Sequence, residues 1–217
     1  MNKAKQREFS CPHCAYEQEF SVWEKVNVTL EPHLKNQVLT RALGRNTCSN
    51  CARTVWVGHP IHYQDASRKL MIWLRFDEPQ KPPFDEGSVV MNLMVNGGYA
   101  FRLVNSYNEL IEKIRVFDDR LDDRALEVLK AVCVTQQPFP ADQKVFYDGI
   151  VEMEGAKKAV RQVIVKRDEK SICEVPLGEL HRQQAVLAGV SKSEDERGKW
   201  LCVDLNYASE LLRRARP

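Results

Sequence analysis

The chain has 217 residues, of which 43% are apolar and 29% charged, with a formal net charge of +2. That length suits one or two domains and is ample for a buried core. The composition excludes wholesale disorder, and the charge balance excludes a strongly basic nucleic-acid packager or an acidic tail protein.

Met1 to Phe9 carries charges and leads into no apolar run, so no signal peptide is expected. The longest charge-free stretch near the middle, Ser88 to Phe101, is 14 residues with two Asn and two Gly. A bilayer crossing needs about 20 apolar residues. These readings predict a cytoplasmic protein with no membrane contact, whose seven cysteines stay as thiols or metal thiolates. Charge divides evenly along the chain: net +3 over residues 1–58, −2 over 59–135 and +1 beyond.

Residues 1–58 read as a small metal-stapled unit. Cys11-Pro12-His13-Cys14 opens it and Cys48-Ser49-Asn50-Cys51 closes it. Between them, Glu17 to Val28 is a strand candidate, with Phe20, Val22 and Val26 at even positions. Pro32 suits the first turn of a helix carrying Leu34 and Val38, and Gly44 is expected to cap its end. Arg53 to Val57 reads as a returning strand.

Residues 59–135 read as a mixed α/β region. Asp65 to Lys69 is a turn, and Leu70 to Phe76 a buried strand. Pro79 to Gly87 is a loop. Val89–Val95 and Tyr99–Val104 are expected as strands of a hairpin turned by Asn96-Gly97-Gly98. Ser106 with Glu109 makes a capping-box pattern. The helix that follows places Tyr107, Leu110, Ile111, Ile114 and Phe117 on one face. Asp122 and Asp123 cap the next helix, which turns Leu126, Leu129, Val132 and Cys133 inward. Together they predict a helical hairpin.

Thr135 to Gln143 is the best linker. Beyond it, residues 143–217 read as an α+β region that could stand as a separate small domain. Its strand candidates are Val145–Met153, Val160–Lys166 and Lys199–Leu205. Its helices are Leu177–Leu187 and Tyr207–Arg214, with a charged loop over Ser191 to Gly198. The fold class is therefore α+β: a zinc-ribbon-like unit with an inserted helix, joined to a mixed α/β region with a helical hairpin.

Two C-x-x-C pairs separated by 33 residues are the strong chemical signal. Each pair can turn two thiolates onto one ion, and zinc takes four such ligands in a tetrahedron. Cys11, Cys14, Cys48 and Cys51 would fill the shell, so one structural zinc per chain is expected. An iron centre shares this geometry. A redox pair would leave the second C-x-x-C without a purpose.

These residues resemble the CpXC domain, a bacterial and archaeal family named for its cysteine motif. The resemblance continues through His62-Tyr63-Gln64-Asp65 and Lys69 to Trp73, then through Glu112-Lys113-Ile114 and Leu121-Asp122-Asp123-Arg124. It covers roughly Phe9 to Cys133. Gln64 stands where the family commonly has His, and the second pair lacks the Pro of the first. The resemblance implies a zinc-binding module and brings no catalytic residues.

Other residues favour plainer roles. His13 shares a turn with two ligands and is expected to be exposed. His33, His59 and His62 are too irregularly spaced for a second metal site. Cys133, Cys173 and Cys202 read as core fillers. Asp118, Asp119, Asp122 and Asp123 read as helix capping rather than cation binding. The four Trp are dispersed, as core or interface anchors are. Neither a phosphate-binding glycine loop nor a hydrolase or metalloprotease motif is present.

Three readings compete. The first is a zinc-stapled protein-binding or scaffold module. The second is an enzyme with a non-local site drawing on His62, Tyr63 and Asp65. The third is a weak nucleic-acid binder using Lys3, Lys5, Arg7, Arg41, Arg45 and Arg53.

Overall fold

A computed structural model describes residues 4–76, 82–135, 143–166, 169–188, 196 and 198–214. The chain separates into two compact units. The first is Met1–Tyr107 with Gly198–Trp200, and the second is Asn108–Arg197 with Leu201–Pro217.

The first unit opens with β1 (Lys5–Ser10) paired antiparallel to β2 (Glu17–Val22). A second small ribbon joins β4 (Arg45–Thr47) to β5 (Thr54–Trp56). A four-stranded sheet then runs in the order β3 (Lys25–Asn27), β6 (Ile61–Asp65), β7 (Leu70–Leu74) and β8 (Ala100–Val104). β6 and β7 form an antiparallel hairpin across the expected turn at Asp65–Lys69, whereas β3 lies parallel to β6 and β8 parallel to β7. Every residue of β7 is buried, as expected of a strand covered on both faces. One face of the sheet carries Ile61, Tyr63, Ile72 and Leu74, all buried. The other sets Met71, Trp73 and Phe101 against Met91 and Trp200.

Three expectations change in this unit. Val89–Val95 is not a strand: Val89–Asn96 is a helix, α2, with Ser88 Oγ accepting from the Met91 amide at 3.3 Å. β8 lies parallel to β7, and parallel neighbours need a crossover rather than a hairpin. Met91 is buried while Val89, Val90 and Leu93 are exposed, a helical rather than alternating pattern. Asn96-Gly97-Gly98 is therefore a helix stop, with Gly98 at φ +86°. The first helix, α1 (His33–Leu39), ends before the expected cap, and Arg41 takes a left-handed φ of 59°. Gly44 instead closes the neck of the β4–β5 ribbon, where a Cβ would lie 2.7 Å from Trp56 Nε1. Lys199–Leu205 is not a strand. Trp200 belongs to the first unit, where its ring nitrogen donates to the Phe84 carbonyl at 3.2 Å.

The second unit begins in α3 (Tyr107–Asp118), whose first residue belongs to the first unit. α4 (Asp123–Thr135) completes the helical hairpin. Asp122 caps α4 as expected, its Oδ1 accepting from the Arg124 amide at 2.9 Å. An antiparallel sheet follows in the order β11 (Glu169–Pro176), β10 (Lys158–Lys166), β9 (Gln143–Glu152). β11 was not anticipated, because its mixed, largely exposed residues show no clear alternation. α5 (Leu177–Ala188) and α6 (Leu205–Arg214) complete the unit. Asp204 Oδ1 accepts from the Tyr207 amide at 2.9 Å, which is why the chain turns helical there. The core joins Leu126 and Leu129 of α4 to Tyr147, Val160, Leu180 and Leu211. Most of the linker over 135–143 and of the loop over 191–198 lies outside the described residues.

Candidate metal centre

The two cysteine pairs are built alike. In the first, the Cys11 amide donates to the Tyr16 carbonyl at 2.9 Å, and the Ala15 amide returns to the Cys11 carbonyl at 2.8 Å. In the second, the Cys48 amide donates to the Arg53 carbonyl at 3.0 Å, and the Ala52 amide to the Cys48 carbonyl at 2.9 Å. Ala15 and Ala52 take left-handed φ values of 56° and 55°. Each turn thus reverses the chain just after its second cysteine. β1 and β2 present the first turn, and β4 and β5 the second.

The four sulfurs lie within 4.8 Å of one another. Cys11 Sγ is 3.8 Å from Cys51 Sγ, and Cys14 Sγ is 3.7 Å from Cys48 Sγ. A tetrahedron with metal–sulfur bonds of ~2.3 Å has edges of ~3.8 Å, so the donor set fits a four-coordinate ion. No disulfide forms among the described cysteines.

The thiols are electrostatically frustrated as they stand. The Tyr16 amide and the Asn50 side chain bring Cys14 down to about 6. The Arg53 amide favours the Cys51 thiolate, yet burial and the neighbouring sulfurs push Cys51 up to about 11. A cation shared among four sulfurs favours the thiolate form of each.

A small apolar core supports the sulfurs: Phe20, Val22, Val55 and Val57 are buried around Cys11 and Cys48. Gln18 ties the two ribbons together, a role the sequence did not signal. Its Oε1 accepts from the Ser49 amide at 2.8 Å and from Ser49 Oγ at 3.0 Å, across 31 residues of chain. His13 is exposed as expected, with Nδ1 3.2 Å from Arg53 Nη1.

Of the remaining candidates, the structure brings together only Tyr63 and Asp65, the Tyr63 hydroxyl donating to Asp65 Oδ2 at 3.5 Å. His59 is buried, its ring nitrogens 3.0 Å and 3.1 Å from the Val57 and Trp23 carbonyls. Strand alternation puts His62 on the opposite face of β6 from Tyr63 and Asp65. Asp65 is already engaged by Lys35 at 3.1 Å and Ser67 at 2.6 Å. Those partners hold its carboxyl below the usual range despite burial. Cys173 and Cys202 are only half-buried, so they are not the core fillers expected; the Cys133 side chain lies outside the described residues. Among the described residues, the four cysteines are the group that could hold a metal ion.

The sequence reading also missed a buried charge cluster in the second unit. Glu112, Lys113, Asp123, Glu127 and Lys130 are all buried. Lys113 Nζ lies 3.2 Å from Glu127 and 3.3 Å from Asp123, and donates to the Val203 carbonyl at 2.7 Å. Lys130 donates to Glu112 and, at 2.9 Å, to Glu127. Burial pushes Glu112 above the usual carboxylate range against the pull of Lys130. On α4 these positions follow i, i+4, i+7, a pattern that in sequence looks like a solvated flank.

The arrangement defines an α+β protein carrying a four-cysteine, ribbon-like centre that could bind a metal ion. The chain belongs to the CpXC protein family, whose model matches residues 9–130. No curated protein and no solved structure matches it. No helix among the described residues is long and apolar enough to cross a membrane.

Proposed function

We propose that this chain is a zinc-stapled module that works in the cytoplasm by binding another protein. Cys11, Cys14, Cys48 and Cys51 hold one zinc ion, which fixes the two ribbons and carries out no chemistry of its own. The supporting observation is the sulfur geometry: four thiols at tetrahedral spacing leave no coordination position for water or substrate. Such a site contributes stability and shape.

The charge pattern favours a protein over a polyanion as partner. Two of the basic residues in the cysteine unit are engaged locally, Lys5 and Arg7 both pairing with Glu24. Elemental analysis of protein purified without added metal should give close to one zinc per chain. Folded, metal-free protein with four freely reactive thiols overturns the metal assignment, and iron in its place corrects it. Affinity capture should recover a stoichiometric protein. Recovery of nucleic acid at physiological salt instead, or of a small molecule held near His62, Tyr63 or Asp65, replaces the protein-binding reading with one of its two rivals.

A further inference from the structure

The two edges of the three-stranded sheet in the second unit are finished differently. On the β9 edge the Tyr147 amide donates to Glu112 Oε1, so a side chain of α3 serves a main-chain donor there. The β11 edge has no such cover among the described residues. β11 pairs with β10 over its whole length, and no other main-chain bond reaches Glu169–Pro176. Glu169, Lys170, Ser171 and Ile172 are all exposed, Ile172 to 65%. An open edge of this kind presents unpaired N–H and C=O groups, a template for a further strand.

The sequence of that edge is complementary to itself. When two copies of one strand pair antiparallel, the numbers of facing residues add to a constant. Alternation of faces and of main-chain groups requires that constant to be even, so a residue meets its own copy at the twofold axis. Centring the pair on Ile172 sets Lys170 opposite the partner's Glu174 on both sides of the axis. Centring it on Lys170 or Glu174 opposes like charges. Centring it on Ser171 or Cys173 sets Lys170 against Ile172 or Pro176. Only the Ile172 register matches charge with charge, and it leaves Pro176, which has no amide hydrogen, just outside the paired residues 169–175. The charges are available. Arg161 bonds Glu174 through Oε1 alone, from Nε at 3.0 Å and from Nη2 at 2.9 Å, which leaves Oε2 for an incoming ammonium. Lys170 makes no ion pair among the described residues. Lysine and proline on an edge ordinarily discourage pairing. Here the lysine meets a carboxylate and the proline lies beyond the paired residues.

We propose that two copies of this chain pair edge to edge through β11, antiparallel about Ile172, with a Lys170–Glu174 ion pair on each side of the axis. The two sheets then run on as one, and Ile172 is covered by its own copy. The pairing residues lie outside the family-matched residues 9–130, and self-pairing stands apart from the protein-binding reading above.

The test is analytical ultracentrifugation of the full chain under reducing conditions, which keep Cys173 from forming disulfides. One strand edge is a small interface, so a dimer with a Kd on the order of 100 μM is expected. Lys170→Glu and Glu174→Lys, both at exposed positions, each turn two attractive pairs into two repulsive ones. Each should weaken the dimer at least ~10-fold. Mixed in equal amounts, the two variants should associate as tightly as the parent, because each carries the charges that the other lacks. Ile172→Asp sets two carboxylates against each other on the axis and should also weaken the dimer at least ~10-fold. It decides the matter even where Glu174→Lys, which loses its bond to Arg161, fails to fold. A parent chain still monomeric at about 1 mM overturns the proposal. So does a dimer that Lys170→Glu and Ile172→Asp leave intact. A mixture of the two folded charge variants that stays monomeric overturns it as well, since the Ile172-centred register requires that they pair.

Discussion

Both units gather chemically reactive side chains into their interiors, and they do so by opposite means. In the first, four cysteines converge because two short turns, each closed by backbone hydrogen bonds and a left-handed alanine, aim them at one point. The cluster could balance its thiolates with an ion from outside. In the second, Glu112, Lys113, Asp123, Glu127 and Lys130 converge because two helices pack face to face, and the cluster supplies its own counter-charges. The first centre is built from two short sequence motifs and offers a site for an ion. The second is self-contained and depends on tertiary packing.

The sharpest break in this comparison is removal of one thiol. Cys48→Ser should abolish stoichiometric metal binding and strip hydrogen-exchange protection mainly from the two cysteine-bearing ribbons, β1–β2 and β4–β5. The apolar core there is too small to hold that unit without a staple. Protection in α4 and β10 should persist. Uniform loss across the chain would show instead that the cysteine unit is integral to one cooperative core.

Removal of one charge is the matching experiment in the second unit. Lys130→Met leaves Glu112 and Glu127 facing each other in the interior and should cost about 3–5 kcal/mol. Lys130→Met/Glu112→Gln should recover a large part of that loss, since the amide still accepts from the Tyr147 backbone. Thermal unfolding of the two variants decides it. A single variant as stable as the parent would mean that water already screens the cluster.

The same contrast governs what the sequence could reveal. Cysteine spacing is a one-dimensional signal, so all four candidate ligands were readable from two tetrapeptides. Strand β7 and the α3–α4 hairpin were readable too, because their periodicity is strong. Val89 to Val95 misled because its β-branched residues favour a strand locally, while the parallel β7–β8 pairing demands a crossover that only tertiary structure specifies. The burial of Glu112 and Lys130 carries no sequence signal, because helical spacing does not say how much of a helix its neighbours cover. Gln18 carried no signal at all: its value comes from meeting Ser49 across the fold.

A smaller effect tests how much the cysteine unit relies on backbone fit. Gly44 accepts the Val57 amide at 2.8 Å at the neck of the β4–β5 ribbon. Gly44→Ala places a methyl 2.7 Å from Trp56 Nε1 and 3.0 Å from the Val57 carbonyl, a clash that should cost about 1–3 kcal/mol. Metal stoichiometry should stay at one, because the sulfur-bearing turn itself is untouched. Loss of metal in this variant would mean that the ribbon's neck, and not the cysteine turn, sets the sulfur positions.

The smallest effect separates the units by pH. Burial, aided by nearby Lys25, lowers His62 to about 4, and its Nε2 has no hydrogen-bond partner among the described residues. An unfolded histidine titrates near ~6.5, so between these values the unfolded chain binds a proton that the folded chain refuses. Stability of the first unit should therefore fall as pH drops from ~6.5 towards 4. Discounted for the ring's partial exposure, the loss is about 1–2 kcal/mol. In the second unit Glu112 is shifted upwards, so there the folded state binds the extra proton. Its contribution is fully present below the ordinary carboxylate value and declines as pH rises through the folded one, which gives a slope of opposite sign. Under the proposed metal assignment, acid would also release the ion from the first unit, so the informative measurement is a difference. His62→Leu should flatten the acid loss followed by exchange in β6 and β7, and leave α3 and α4 unchanged. An identical acid slope in wild type and variant would assign the loss to the cysteine centre alone.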